Sequence, residues 1–395
     1  MDNDVSPPNP PASPAGGPPP PPPLPPPPLV NPAPIILEGK RAGRGWVIAT
    51  IVLAIILAFT LVSRMVGTVF ESIASAEGIG GTPHLTEVMV ENNRSSDKIA
   101  VIPVEGIITS SSFDGGGYNM VDLIEDQLKL AAKDDKVKAV LLKVNSPGGE
   151  VLASDDIYNA ILKFQNEHNK PVIASMGNLA ASGGYYVSAP CRWIIANELT
   201  ITGSIGVIMH TYNYRGLMNK VGMKPMVYKS GKFKDMLSGE KDLDNATAAE
   251  KQEILEEGEM VAKMINETFE KFKLVIAEGR KFSSNRNQLN KDGDTGKPLS
   301  GNWTSVADGR ILSGKEALEH GFVDEVGNWR ASVRRAEKLA GIADADLVTY
   351  QVPFSLGNLF SLLGKSNARS IKVDLGFDLP KLSSGLYYLA PAFTR

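Results

Sequence analysis

Within Gly177 to Tyr186, one hydroxyl stands among small residues where a strand-like run gives way to a helix-like one. That hydroxyl belongs to Ser182. The apolar run Pro171 to Met176 has the length of a buried strand, and Tyr185 to Ala189 can begin a helix. Gly183 and Gly184 would let backbone N–H groups approach a reacting carbonyl without a side chain in the way. Ser182 therefore reads as a nucleophile, with a plain helix cap as the competing reading. A second turn, Asn145-Ser146-Pro147-Gly148-Gly149-Glu150, follows the apolar run Val137 to Val144. Amides of Gly148 or Gly149, together with that of Gly183, suit an oxyanion hole, where one lost donor typically costs about 3 kcal/mol of barrier. The alternative is an ordinary strand-to-helix turn that uses Pro-Gly-Gly for its geometry. Neither a Walker pattern nor a dinucleotide glycine spacing is present, so a phosphate cradle fits poorly.

A serine needs a base, and the local signatures of Ser-His-Asp hydrolases are absent. A lysine can serve instead. Lys234, in Tyr228-Lys229-Ser230-Gly231-Lys232-Phe233-Lys234-Asp235-Met236-Leu237, is the candidate, with Lys229 and Lys232 expected as solvated neighbours. A lysine base at neutral pH must fall by about three units from about 10.4, roughly 4 kcal/mol, which burial against Phe233, Met236 and Leu237 would supply. Ser204, in Thr202-Gly203-Ser204-Ile205-Gly206, is expected to support the pair by holding the Lys234 amine. A hydroxyl bonded to nearby backbone is the other reading. Cys191 is the only cysteine, and His84, His168, His210 and His320 lie in unlike contexts, so neither an intrachain disulfide nor a bound metal is expected. No cofactor is called for. A net charge of −3 without a dense basic cluster argues against nucleic-acid binding.

These residues need elements to position them. The spacing predicts an α/β domain over 98–345, with strands at Lys98 to Thr109, Val137 to Val144, Pro171 to Met176, Trp193 to Ala196, Gly206 to His210 and Lys224 to Tyr228. Helices are predicted at Met120 to Ala132 and Val151 to Gln165. A long one at Ala248 to Ala277 should bury a stripe of Ile254, Val261, Ile265, Phe269, Phe272 and Ile276. The unit Gly309 to Ala340 contains a capping-box spacing at Ser313 to Glu316 and a helix end near Gly321.

Ahead of this domain, residues 1–37 form a proline-rich tail expected to be extended and disordered, as a spacer or a ligand for a proline-recognising domain. Residues 38–45 are basic. Residues 46–65 read as one transmembrane helix, and 66–97 as a linker. Lys40, Arg41 and Arg44 precede the span while only Arg64 closely follows, which places the tail in the cytoplasm and the domain outside the membrane. A cleaved leader is the competing reading, since Ala74-Ser75-Ala76 resembles a cleavage site. Residues 346–395 are a C-terminal extension, weakly patterned after Phe354, with packing against a neighbour or the membrane surface as its only suggested role.

Taken in order, Asn145 to Gly149, Ala181 to Tyr186, Thr202 to Val207, Ser230 to Asp235 and Asp308-Gly309-Arg310 resemble the signal peptide peptidase A family of membrane-anchored bacterial serine proteases, in its short, single-domain form. The match spans about Ile99 to Gly327. The resemblance implies a Clp-protease/crotonase-like fold, a catalytic dyad of Ser182 and Lys234, an oxyanion hole from the glycine turns, and no cofactor. It also implies a homo-oligomer in which Ser182 of one subunit can meet Lys234 of its neighbour. Substrates would be remnant signal peptides and other membrane-associated peptides, and the location the bacterial inner membrane. Two rival readings are a crotonase-like acyl-CoA enzyme and a non-catalytic membrane scaffold whose tail recruits partners.

Overall fold

A computed structural model describes residues 49–64, 85–111, 118–290, 293–353 and 386–389 of the 395-residue chain. The chain divides into two compact units, 1–79 and 80–395. In the first, residues 49–64 form a helix, α1, whose apolar side chains, among them Leu53, Leu57 and Phe59, are exposed. No helix among the described residues is long and apolar enough to cross a membrane. The predicted tail, the basic segment and both ends of the expected span at 46–65 lie outside the described residues.

The second unit is built on a sheet whose strands run, in chain order, β1 (Thr86–Glu91), β2 (Lys98–Glu105), β3 (Val137–Ser146), β4 (Gly148–Glu150), β5 (Val172–Ala181), β6 (Trp193–Ala196), β7 (Ile201–Gly203), β8 (Ile311–Ser313), β9 (Glu325–Val326), β10 (Asp346–Gln351) and β11 (Tyr387–Leu389). Their spatial order is β1-β10-β2-β3-β5-β6-β9, with β7 beside the end of β5, β8 beside β7, and β4 paired separately with β11. Every pair from β10 to β9 is parallel, and β1 closes one edge antiparallel. The helices are α2 (Met120–Lys133), α3 (Val151–His168), α4 (Gly183–Ser188), α5 (Arg215–Lys220), α6 (Ala248–Asn287), α7 (Gly314–Glu319) and α8 (Trp329–Ala340).

A parallel sheet covered on both faces requires strands that are apolar at every position, and the run from Ala139 to Leu142 supplies one. Val140 and Leu142 point into the larger core with Ile124 of α2, Ile157 and Ile161 of α3, and Tyr185. Ala139 and Leu141 point the other way, onto Val333 and Ala336 of α8.

Several elements differ from the sequence-based expectation. The strand expected to stop at Met176 continues to Ala181, because Leu179 to Ala181 pair with Ile201 to Gly203. The expected strand at Lys224 to Tyr228 does not form; no described strand pairs with it, and Met226 and Tyr228 are 76% and 87% exposed. At Gly206 to His210 only a single bridge forms, from Ile208 to Tyr387. The long helix extends to Asn287, but its stripe is core only from Phe272 onward, and Ile254, Val261, Ile265 and Phe269 are half-buried. β1, within the predicted linker, and β10, within the predicted extension, both join the main sheet beyond the 98–345 limits. The capping box at Ser313 and Glu316 is present, and a second caps α6 at Thr247 and Glu250.

The second half of α6 is locked to the sheet. The absent Cβ of Gly279 would stand 2.5 Å from the Ala189 carbonyl, so the helix lies directly on the end of α4. Next to it, Arg280 forms a buried ion pair with Asp324, which also accepts the Ile194 and Lys297 N–H groups at 2.8 and 2.9 Å. Removing one partner of such a pair leaves an uncompensated buried charge. Asp324→Asn should therefore lower unfolding free energy by about 3–5 kcal/mol in urea titrations; an unchanged midpoint would contradict this role.

Candidate active site

Ser182 stands at the junction of β5 and α4 with φ 55° and ψ −117°, a conformation a side chain rarely adopts. Its N–H donates to the Gly203 carbonyl at 2.8 Å and its carbonyl accepts the Tyr186 N–H at 2.9 Å, so the strained turn is held from both ends. The side chain makes no capping hydrogen bond. Its Oγ is buried and has no hydrogen-bond partner among the described residues. A buried hydroxyl without a partner is costly as a structural feature, whereas a nucleophile must be kept free of competing bonds.

The two glycine turns meet beside this hydroxyl. A Cβ on Gly183 would lie 3.0 Å from the Gly148 Cα and 3.1 Å from the Gly149 nitrogen, and one on Gly148 would lie 2.6 Å from the Gly183 nitrogen. Gly148 also needs its φ of 100°, and a Cβ on Gly149 would lie 1.9 Å from the Ile108 carbonyl oxygen. The Gly148 N–H is taken by the Ser146 hydroxyl at 3.1 Å, so Gly148 contributes its missing side chain more than its amide.

Ser204 comes close through sheet register. Ala181 pairs with Gly203 in the parallel β5–β7 pair, which makes Ser182 and Ser204 the next residues on adjacent strands. Ser204 is buried, with φ 50°, and its N–H donates to the Arg310 carbonyl at 2.7 Å. Behind it, Arg310 holds Asp308 through two hydrogen bonds at 2.8 and 2.6 Å, which bring the Asp308 carboxyl down to about 2.

Lys234 is not brought to Ser182 within the single chain. It lies exposed on a turn, and no hydrogen bond joins it to Ser182 or Ser204. The walls expected to dry it are open: Leu237 is exposed, and Phe233 and Met236 are half-buried. The other lysines of this loop are tied down instead. Lys229 bonds Asp235 and Glu253 at 2.8 and 2.9 Å, Lys232 reaches Glu256 at 2.5 Å, and Lys241 meets Glu253 at 3.3 Å and also Glu257. Lys229 and Lys232 are thus ion-paired to α6 and not simply solvated. Asp235, Glu253 and Glu257 converge closely enough for a cation, and the Lys229 and Lys241 ammonium groups already serve them. Of the four lysines from 229 to 241, Lys234 alone has no acidic partner among the described residues.

The sequence pattern of Peptidase family S49 matches residues 164–343, and that of Clp protease matches residues 104–196. A protein of Enterococcus faecium, provisionally named signal peptide peptidase SppA, is 31% identical over 318 residues, covering 78% of this chain and 84% of its own length. A provisionally named protease of Methanocaldococcus jannaschii is 37% identical over 65% of this chain and 72% of its own. Protease 4 of Haemophilus influenzae is 33% identical over 63% of this chain but only 36% of its own length. The chain belongs to peptidase family S49, the signal peptide peptidase A family. It is a serine peptidase with a Clp-protease-like α/β domain.

In this S49 peptidase, Ser182 is backed by aromatic side chains. Tyr185 donates to the Phe322 carbonyl at 2.8 Å and Tyr186 to Asp155 at 2.5 Å, which clamps α4 on both sides. Burial pushes both phenols up, in Tyr186 with help from the Asp155 hydrogen bond, and it pushes Tyr158 up to about 12. These phenols stay protonated at neutral pH and are no substitute for a base. Tyr388 stacks on Tyr186 at 4.9 Å and meets Phe272 at 4.5 Å. Sequence reasoning passed over Tyr388, although Leu386 to Leu389, an apolar run between Gly385 and Pro391, carries a short-strand signature.

Gly183→Ala should force the two glycine turns apart by a few tenths of an ångström. The expected result is a loss of about 10²-fold in kcat for peptide hydrolysis with a cooperative thermal transition retained; full activity in this variant would show that the close approach is not needed.

Proposed function

We propose that this peptidase is a membrane-anchored endopeptidase in which Ser182 attacks the peptide carbonyl and Lys234 of a neighbouring subunit is its base. The observation that carries the reading is the buried Ser182 Oγ, strained into position and left without a hydrogen-bond partner among the described residues. Lys234 would take the Ser182 proton and return it to the leaving amine, and water would then resolve the acyl-enzyme. The amides of Gly149 and Gly183 would face the oxyanion, with Gly148 keeping that space open and Ser204 orienting the amine.

A second copy as the source of the base is supported by the surface around Lys234. Tyr212, Leu217, Val221, Met223, Met226 and Tyr228 are exposed in the single chain, on the segment whose expected strand finds no pairing partner among the described residues. An apolar surface of this kind marks an interaction site. Packed against a neighbour, it would exclude water from Lys234. The exposed apolar face of α1 and the continuing apolar sequence on either side of it support the anchor, with the tail cytoplasmic and the catalytic unit outside. Remnant signal peptides and other membrane-associated peptides are the proposed substrates, matching the name carried by the Enterococcus faecium relative.

Complementation tests the shared site. Ser182→Ala and Lys234→Ala chains should each lose hydrolysis while still assembling. Mixed assemblies of the two should regain measurable turnover, because some interfaces then pair an intact Ser182 with an intact Lys234. Mixed assemblies as inactive as their parents would exclude a base from the neighbouring subunit, and retained activity in either parent would overturn the dyad.

A further inference from the structure

Glu150 stands where β4 hands over to α3, and its carboxylate serves neither element. It occupies the N-cap position of α3 without making a capping hydrogen bond. Instead it reaches across to the segment that leaves β2, where Oε1 accepts the Thr109 hydroxyl at 2.8 Å and Oε2 accepts the Ser110 N–H and hydroxyl at 2.9 and 2.6 Å. Burial alone would raise this carboxyl, but the bonds from Ser110 and Thr109 outweigh it and hold the group below its ordinary value. No lysine or arginine takes part. A half-buried carboxylate that is charged at neutral pH and held by neutral donors is a fixed point in the fold, not one half of an ion pair.

The turn it fixes holds Gly149 from behind. Ile108 donates its N–H to the Gly148 carbonyl at 2.9 Å and accepts the Glu150 N–H at 2.8 Å, a parallel bridge centred on Gly149. Successive residues of a strand bond to alternate edges, so with its neighbours' groups turned to Ile108 the Gly149 N–H is turned to the opposite edge. A Cβ on Gly183 would lie 3.1 Å from that nitrogen. Nothing separates Gly149 from Ile108: an added Cβ would lie 1.9 Å from the Ile108 carbonyl oxygen and 2.6 Å from its nitrogen, so a shift of Ile108 is passed directly to Gly149. The main chain of Glu150 ties in the other donor. Its carbonyl accepts the Ser154 hydroxyl at 2.8 Å, and that hydroxyl oxygen would stand 2.7 Å from a Cβ on Gly183.

We propose that Glu150 is a positioning residue for the oxyanion donors: its carboxylate fixes the Thr109–Ser110 turn, the turn fixes Ile108, and Ile108 aims the Gly149 amide beside that of Gly183. The carboxylate itself contacts no reacting atom. Its contribution is needed only when charge develops on the carbonyl oxygen, because donors misplaced by a fraction of an ångström bind a peptide almost as before but stabilise the tetrahedral adduct less. What is required is the shape of the acceptor and not its charge, since a glutamine can accept both Ser110 bonds through Oε1 and donate from Nε2 to the Thr109 hydroxyl. The inference rests on Ser182 being the nucleophile of the proposed function, with Gly149 and Gly183 as its oxyanion donors. A covalent inhibitor and its non-covalent twin distinguish the failure of one from the failure of the other.

The test compares assembled full-length chains by peptide hydrolysis and by inhibition with acetyl-leucyl-leucyl-phenylalaninal and the matching alcohol. Ser182 Oγ adds to the aldehyde carbon and its proton passes to the former carbonyl oxygen, which then lies against the Gly149 and Gly183 amides; the alcohol binds without forming that bond. Glu150→Ala should lower kcat by at least about 10-fold with KM held within about 2-fold, and should weaken the aldehyde by at least about 10-fold while leaving the alcohol unchanged. Glu150→Gln should restore kcat to within about 3-fold of the unaltered chain. Thr109→Val combined with Ser110→Ala withdraws both hydroxyls from the other side and should give the same signature, which keeps the test open if Glu150→Ala fails to fold. Unchanged kcat in Glu150→Ala, equal weakening of aldehyde and alcohol, or a Glu150→Gln chain no more active than Glu150→Ala would overturn the proposal. An unaltered chain that neither hydrolyses peptide nor prefers the aldehyde would instead remove Ser182 as the nucleophile, and this inference with it.

Discussion

The site depends on backbone touching backbone. The Ser182–Gly183 turn and the Gly148–Gly149 turn come so close that a single Cβ on Gly148, Gly149 or Gly183 would stand within about a bond length or two of another residue's main chain. That approach fixes where an oxyanion can form, and it holds only because β3 and β5 are neighbours in a sheet buried on both faces. The cost appears at Ser182 and Ser204, adjacent serines that both adopt positive φ. Clamping of α4 by Tyr185, Tyr186 and the Gly279 face of α6 holds that strain in place.

A rigid nucleophile contrasts with the segment that would supply its base. From Gly206 to Asn245 the chain has one short helix and one bridge, and it is attached to α6 chiefly through ion pairs of Lys229, Lys232 and Lys241. These partly buried pairs fix the loop's direction and leave Lys234 without an acidic partner among the described residues. A lysine paired to a carboxylate would be held protonated and useless as a base. The charge arrangement therefore selects among four lysines before any neighbour arrives.

The parts legible in the sequence were those with local causes. Two glycine turns after apolar runs, a hydroxyl at a strand-to-helix change and a capping box at Ser313 each follow from residues a few positions apart. What was not legible depended on distant pairing. Leu179 to Ala181 became strand because β7 lies beside them, Lys224 to Tyr228 did not because nothing described pairs with it, and Tyr388 reaches Gly149 across more than half of the domain's length. The stripe on α6 predicts continuous core because periodicity reports an apolar face and not what covers it; Phe269 packs against the core half-buried, and full burial begins at Phe272. Lys234 was recognisable as a candidate from its motif, while the ion pairs that set it apart from Lys229 and Lys232 needed the fold.

The most direct measurement is mass mapping of the assembled protein after acid quenching during turnover of an activated peptide ester. The account predicts an acyl group on the fragment containing Ser182. Turnover with the acyl group on another residue, or with no acylated fragment under conditions that trap the intermediate, would contradict it.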